Sequence, residues 1–470
     1  MASQTKDKVD ITSAAYDSMA AKWELIRDLL GGTVAMRNAG EKWLPREPKE
    51  SENAFDVRLS RSILYEAYSD TVGNVVSRPF SKPVTIQGEL PEPLNQIALD
   101  VNQQGQTLTQ FASEIFNTAV NYGLTHILVD YPRLQRELNL AEERQSGVRP
   151  RFIHVRPTQL IGWRAVKGFD GKVVLSQIRI KETQTEPVGQ FGEEQVDYIR
   201  VYTPTTWELW RKTEDDDDYS LHESGEHTFG GVPLVTCYLN RTGFMTAGPT
   251  MESLAWMNLA HYQSMSDQRN ILRYARVGMI FVSGLTEEET EKDMVIGPNR
   301  FFTSVNPDAR MSYVEHSGAA IGAGRQDLQD LEARMEVLGL QPFMRRTGNQ
   351  TATGQSIDDS RSNSSVQAWI RSLEQAIVTA YEYAAKWLNL KIPDDFTSDI
   401  FSDFGISVRN SQDIDSLLKI RLAGQISHGT YLREIKRRGV LSESVSIEDE
   451  ITKVESEGPP LGELGDGGDE

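Results

Sequence analysis

Residues 345–354 read Arg345-Arg346-Thr347-Gly348-Asn349-Gln350-Thr351-Ala352-Thr353-Gly354, a polar, glycine-punctuated stretch between two helical patterns. Ahead of it, Leu328, Leu331, Met335 and Leu338 recur at three- and four-residue steps, the seam of an amphipathic helix. Behind it, Val366, Trp369 or Ile370, Leu373, Ile377, Tyr381, Ala384 and Leu388 repeat the pattern over several turns. That second helix is long against a mean of about 11 to 12 residues in globular proteins. A loop with two arginines and almost nothing apolar cannot bury itself. It must be presented to something, and what that is becomes the functional question.

Working outward toward the N-terminus, Thr250–Arg276 reads as a helix that opens after Pro249, a favourable first-turn neighbour. Residues 277–318 then form a small insert. It holds an apolar strand, Met279–Val282, an acidic helical turn, Thr286–Asp293, and two strand-like runs, Arg300–Ser304 and Met311–Val314. At about 40 residues such an insert lacks the core to stand alone, so it is expected to complete itself against copies of itself.

Earlier still, residues 12–30 predict a helix capped by Thr12 or Ser13, with Ala15, Met19, Trp23, Ile26 and Leu30 on one face and Gly31-Gly32 as its stop. A polar segment through Met36 to Pro45 follows. Phe55, Leu59, Ile63, Val72 and Val76 mark a second long helix closed by Arg78-Pro79-Phe80, and Pro83–Gln87 a short strand. Residues 107–122 predict a third helix, halted at Gly123 and followed by the strand His126–Asp130, an α/β order. From Arg151 to Leu239 the pattern changes to short alternating runs: Phe152–Val155, Val173–Ile180, Val196–Tyr202, Thr206–Arg211 and Val232–Leu239. These predict a mostly antiparallel sheet. The acidic run Glu214–Asp218 sits between two of them as a solvated hairpin tip, because it lacks the alternation and distal glutamate of a calcium loop. After the long helix, Phe404–Val408 is a strand candidate, and residues 413–439 carry two short helices broken near Ser427-His428-Gly429. Residues 455–470, made of Gly, Pro and acids, predict disorder.

The composition narrows the choices. The chain has 470 residues, 39% of them hydrophobic, enough for two to four domains with cores. No run of about 18 apolar residues is present, so no membrane partner is expected, and the polar start predicts no signal peptide. The net charge of −19 argues against a protein that grips nucleic acid, but not against one that lets a duplex slide past. The one cysteine, Cys237, lies in an apolar run and reads as a small core residue rather than a nucleophile.

Catalytic motifs are sought and not found. Gly348 to Ser356 has the wrong spacing for a phosphate-binding loop, with Gln355 where the lysine belongs. The seven histidines show no His-x-x-x-His pair, so no metal site and no cofactor are expected. Asp130 at a strand end, with Asp100 or Glu114, could form a metal-dependent nuclease or hydrolase cluster. That is one alternative to a chain that is not an enzyme; a second is a different ring-forming structural protein, a head-completion ring without a DNA channel.

Laid end to end, these segments resemble the portal proteins of tailed bacteriophages, the head-to-tail connectors. The resemblance covers roughly residues 15–450 and rests on Met36-Arg37 through Ala39-Gly40 to Leu44-Pro45, on Asp70-Thr71-Val72 leading to Pro79-Phe80, and on Thr351–Thr353 followed by Arg361–Ser364. It implies an α+β subunit with an α/β wing, two stem helices flanking a small β-containing clip, a tunnel loop, a long tunnel helix and a helical crown. In this chain the wing would take residues 1–249, the first stem helix 250–276, the clip 277–318 and the second stem helix 319–341. The tunnel loop would be 342–356, the long helix and return to the wing 357–410, the crown 411–454 and a disordered tail 455–470.

The resemblance further implies a homo-oligomeric ring of twelve at one capsid vertex of the virion, assembled in the host cytoplasm. The genome would be packaged and ejected through it. Its partners would be double-stranded DNA, the terminase large subunit, a tail adaptor, and the major capsid or scaffolding protein. Arg345, Arg346, Thr347, Gly348, Asn349, Gln350, Thr351 and Thr353 would face the channel, where weak, sequence-blind phosphate contacts suit a sliding polymer. The arginines could equally bridge to the acids around Asp327, Asp330 or Glu332. Leu254, Trp256 and Met257 would pack against Leu328, Leu331, Met335 and Leu338 in the stem. Clip contacts with terminase or adaptor would come from Thr286, Glu287, Glu288, Glu289, Asn299, Arg300, Asn306 and Asp308.

Overall fold

In the computed structural model, which describes residues 8–132, 148–212, 218–277, 279–284, 306–314, 319–339, 352–402, 411–437, 440–441 and 445–457, Ser13 caps the first helix. Its hydroxyl accepts from the Tyr16 amide at 3.3 Å, and helix α1 (Ala14–Leu30) buries Met19, Trp23, Ile26 and Leu29. Helix α2 (Gly32–Ala39) follows at once, where the sequence reads only as a polar segment. Gly32, at φ +67°, makes the turn between them, and Met36 anchors the short helix by full burial.

The second long helix predicted over 55–76 is two helices, α3 (Glu52–Arg61) and α4 (Ala67–Ser77). Ser62 leaves the helix in an extended conformation and turns its hydroxyl onto the Arg58 carbonyl. The elbow that follows is held from outside, as described below. Strand β1 (Thr85–Gln87) and helix α5 (Glu92–Leu99) come next; the helix, unread in the sequence, starts behind Pro91 and buries Leu94 and Ile97. Helix α6 (Leu108–Tyr122) begins with a reciprocal capping box between Thr107 and Gln110 and ends at Gly123, in the left-handed region.

The strands β2 (Leu124–Asp130), β3 (Arg151–Val155), β4 (Leu160–Lys167), β5 (Val173–Val188), β6 (Gly192–Tyr202), β7 (Thr206–Lys212), β8 (Ser220–Glu226) and β9 (Leu234–Tyr238) make two sheets. One has the order β3-β2-β9 and the other is the meander β4-β5-β6-β7-β8. Every pairing in both is antiparallel. This corrects the α/β reading of the α6–Gly123–β2 order, because β2 is flanked on both sides by antiparallel partners rather than entering a parallel crossover. β4 and β8 are additions to the strands read in the sequence. Their outward ends carry mostly charged and small side chains, which hides the alternation. The sheets share one core of Leu128, Val155, Leu160, Ile178, Ile180, Tyr202, Val232, Leu234 and Met245. Of the acidic run, residues 214–217 lie outside the described residues; the strands on either side of it, β7 and β8, do pair.

After the small hairpin β10 (Arg241–Gly243) and β11 (Thr246–Ala247) the chain enters helix α7 (Glu252–Val277). β12 (Met279–Ser283) and β13 (Arg310–Val314) pair antiparallel, Phe281 opposite Ser312, and helix α8 (Ala319–Leu338) returns. Helix α9 (Ala352–Trp387) starts five residues ahead of the predicted boundary at 357, since the Thr-Ala-Thr-Gly-Gln-Ser run contains no proline to prevent it. Strand β14 (Thr397–Asp399), unread in the sequence, pairs with β1. Helices α10 (Ser411–Leu422), α11 (His428–Arg437) and α12 (Ile447–Glu457) complete the described chain. The third was not read, and it carries helix into residues 455–457, the start of the expected disordered tail. The rest of that tail, the strand candidate at 404–408, the acidic turn at 286–293 and the run at 300–304 lie outside the described residues.

By contact the chain forms two units, one of residues 1–347 and 368–400, the other of 348–367 and 401–470. In the first, the α9 residues Leu373, Ile377, Ala380, Tyr381 and Ala384 are buried. Tyr381 stands edge-on to Phe152, and the Trp387 indole donates to the Val129 carbonyl at 2.9 Å. In the second, Gly424, at φ +68°, lets the chain turn out of α10, and Leu432 and Ile435 of α11 are buried.

Candidate functional site: a helix–hairpin–helix stem

The distinctive element of the first unit is α7–β12–β13–α8, two long helices joined through a β-hairpin. The helices are antiparallel. His261 Nε2 lies 3.3 Å from Glu332 Oε1, while seven residues further along α7 the Gln268 side-chain amide donates to the Ile321 carbonyl at 2.9 Å, eleven residues back along α8. Between these levels Leu328 and Leu331 are buried, and Met335 is buried beyond them. Gly324 permits close approach: a Cβ there would stand 2.1 Å from Gln268 Oε1.

α7 is also clamped to the helices near the start of the chain. Asn258, wholly buried, accepts from the Tyr68 amide at 3.0 Å and donates to the Tyr65 carbonyl at 2.8 Å. It thereby satisfies an orphan N–H in the first turn of α4 and fixes the elbow between α3 and α4. Gln263 donates to the Trp43 carbonyl, and the Ser62 and Ser266 hydroxyls meet at 3.0 Å. The buried Arg58 guanidinium reaches Glu50 at 2.7 Å and Asp267 at 3.8 Å.

The sequence-predicted stem residues divide. Leu254, Leu328, Leu331 and Met335 are buried and Met257 partly so, as an intrachain seam requires. Trp256 is 54% exposed, which corrects its assignment to that seam: it lies on the side of α7 turned away from Leu254 and Asn258. Leu338 is 38% exposed and Val337 66%, so the end of α8 leaves an apolar strip uncovered. Asn258, His261 and Gln268 were missed. The signal was present, for these polar residues recur on the apolar stripe of α7, where a side chain must find a partner.

Of the clip residues, Asn306 and Asp308 form a turn. The Asn306 side chain donates to the Gly284 carbonyl at 2.7 Å and accepts from the Asp308 amide at 3.0 Å. Thr286, Glu287, Glu288, Glu289, Asn299 and Arg300 lie outside the described residues, as do Arg345, Arg346, Thr347, Gly348, Asn349, Gln350 and Thr351. Thr353 falls in the first turn of α9.

The acids considered for nuclease chemistry are engaged by separate partners. Asp130 takes the Arg151 guanidinium at 2.7 Å and the Tyr202 hydroxyl at 3.1 Å. Asp100 accepts from the amides of Gln104 and Gly105 and lies 3.7 Å from Arg149. Glu114 accepts from His154 Nδ1 at 2.9 Å, and that hydrogen bond leads the causes holding its carboxyl down at about 2. His154 Nε2 in turn meets the hydroxyl of the fully buried Thr125 at 2.9 Å. Among the described residues no group of three potential metal ligands occurs, and no helix is long and apolar enough to cross a membrane. Cys237 is buried, and desolvation pushes its thiol up to about 12, in keeping with a packing role.

Residues 250–388, from the start of α7 through the end of α9, match a family described as Domain of unknown function (DUF4055). No curated protein matches the chain. Among solved structures the chain is similar to one in the neck of an empty GTA particle computed with C6 symmetry, at 10% identity over 87% of this chain and 93% of that one, with a TM-score of 0.43. It is also similar to a chain of the virion of a native gene transfer agent particle, at 11% identity over 86% and 99%, TM-score 0.43. A third, in the neck of a native GTA particle computed with C12 symmetry, shows 12% identity over 85% and 97%, TM-score 0.40. With its motifs at 36–45, 70–80 and 351–364, the chain resembles the portal proteins of tailed bacteriophages.

Proposed function

We propose that this chain is the subunit of a portal ring: a non-enzymatic conduit of twelve copies at one vertex of a virion, through which double-stranded DNA is packaged and ejected. The observation that carries the reading is the stem. Two long antiparallel helices flank an antiparallel strand pair, and α8 ends in Val337 and Leu338, apolar side chains that the described residues leave exposed. Such side chains suit a head-to-tail neighbour, whose contact closes into a ring.

The dimensions agree with a DNA channel. Twelve helices packed about 10 Å apart have a circumference near ~120 Å and a centre-line diameter near ~38 Å. Removing one helix diameter of about 10 to 12 Å leaves roughly 27 Å, which passes a duplex with little to spare. The net charge of −19 per copy keeps most of such a ring repulsive to phosphate. In this reading residues 342–356 are the tunnel loop, with Arg345, Arg346, Asn349, Gln350, Thr351 and Thr353 making weak contacts to the passing backbone. The 277–318 clip, including Asn306 and Asp308, offers the docking surface for the terminase and later a tail adaptor. The wing and crown meet capsid or scaffolding protein.

The test is the mass of the purified assembly together with its image in the electron microscope. The expected result is a ring of twelve copies with an open axial hole. A monomer at every concentration, or a ring with a closed centre, overturns the reading.

A further inference from the structure

The hairpin of β5 and β6 overshoots its sheet. β4 pairs with β5 no further than Ile180, and β7 pairs with β6 only from Asp197, so among the described residues Gln184 to Val196 form a ribbon of two strands alone. Its turn carries Phe191, 91% exposed, next to Val188, 50% exposed. Glu193 and Glu194 beside them make no ion pair with any described residue. A bare two-stranded ribbon is marginal in water, and a large aromatic at its tip calls for cover.

At the opposite end of β5 lies a cleft of about 990 Å³ between the β4–β5 hairpin, the β9–β11 segment and α9. Val174, Phe229 and Phe244 line it, and so do Arg241, Arg371 and Lys386. Among the described residues no acidic side chain lines it, in a chain with 68 aspartates and glutamates. The exposed Val173 and Val174 leave its apolar wall open to solvent.

We propose that the ribbon tip of one copy seats in this cleft of a second copy. Val188 and Phe191 enter the apolar part, and Glu193 and Glu194 meet Arg241, Arg371 and Lys386. The tip cannot serve its own cleft, because the twelve residues of strand from Ser176 to Val188 hold the two about 40 Å apart. The other exposed tip, Phe169, has Lys167 and Lys172 against one acid, Asp170, which Lys172 already holds at 3.5 Å, so a net positive tip would meet a cationic cleft. Tip and cleft are different surfaces, so the contact is heterologous and repeats around an assembly. The inference rests on the ring reading and names a contact, in the wing, that would hold neighbouring subunits together.

Cysteine crosslinking tests it, since the native Cys237 is buried and out of reach. A chain carrying both Phe191→Cys and Ser372→Cys, oxidised as an assembly, is expected to give a ladder of covalent multimers under denaturing electrophoresis. The two single variants mixed should give linked pairs. Separately, Phe191→Glu should raise the concentration needed for assembly at least tenfold, with far-UV circular dichroism unchanged. Lys386→Glu should do likewise, and Glu193→Lys with Glu194→Lys in the same chain should restore assembly. Wild-type rings together with no ladder, or crosslinks only to a foreign protein, sink this contact while leaving the ring intact. A wild-type chain that stays monomeric removes the ring reading and this contact with it.

Discussion

The backbone of Gly123 passes so close to Gly248 that a Cβ on Gly123 would stand 1.9 Å from the Gly248 carbonyl oxygen. Gly123 also sits at φ +84°, and its carbonyl accepts the amides of Leu239 and Asn240 at 2.9 and 3.1 Å. One residue therefore ends α6, starts β2 and fixes the approach to the stem.

Gly123→Ala adds left-handed strain to a backbone clash, and should lower stability by roughly 2 to 5 kcal/mol. Gly73, exposed within α4 with nothing near its Cβ position, provides the contrast. Gly73→Ala should be neutral or stabilise by up to about 1 kcal/mol. A lowered urea midpoint for Gly123→Ala beside an unchanged or raised one for Gly73→Ala is the expected result.

Asn258 serves two backbone groups at the α3–α4 elbow from a site with no access to solvent. Asn258→Leu should leave the Tyr68 amide and the Tyr65 carbonyl unpaired, at about 1 to 3 kcal/mol for each buried group. Hydrogen exchange should show the loss first in the amides of the 62–70 segment. Unchanged protection there would refute the clamp.

Acid should weaken the wing in two windows. Burial holds His126 neutral down to about 3, chiefly by desolvation, whereas an unfolded histidine takes up a proton near ~6.5. Its contribution is present above that value and is lost as pH falls toward 3. Glu114, held down at about 2 by His154, contributes above the unfolded carboxyl value near ~4.3 and loses its share as pH falls through 2. In urea titrations, Glu114→Gln should differ from wild type at pH 7 and converge with it near pH 2 to 3. A constant difference across that range would show that the His154 contact does not perturb the carboxyl.

In the ring reading, Val337 and Leu338 face a neighbour. Val337→Asp with Leu338→Asp should leave the far-UV spectrum of the chain intact and shift sedimentation from assembly toward monomer. Deleting residues 345–354 should do the reverse, leaving rings intact while DNA packaging fails. Rings lost on that deletion would place the segment in the interface instead.

The two long helices α7 and α8 were legible because their cues are local. Pro249 and the period of Leu328, Leu331 and Met335 mark the two helices, and β-prone runs mark the hairpin between them. The break at residues 62–66 was missed although a signal was present: nine residues separate Ile63 from Val72, which would put them on opposite faces of one continuous helix, and the elbow itself is held by a distant residue, Asn258. The antiparallel sheet over residues 151–239 was legible from its short alternating runs, and only the α/β reading of the α6–Gly123–β2 order was not. A helix, a glycine and a strand look alike whether the next strand pairs parallel or antiparallel, and pairing depends on where Leu234–Tyr238 returns. Leu338 continues the three- and four-residue steps of the seam and yet is 38% exposed, so spacing alone could not separate covered from uncovered.

The five-stranded meander is a digression in the chain's path. It leaves from the end of β3, opposite His126, and comes back at the start of β9, opposite Leu128, so departure and return are separated only by the width of β2 and about two residues of rise. At strand spacings of roughly 4.8 Å, those ends are about 12 Å apart. A handful of residues could bridge that gap. Lineages could therefore trade one excursion for another of different size, or shed it, without disturbing the frame that carries the stem, provided Leu128 and Met245 found a new roof.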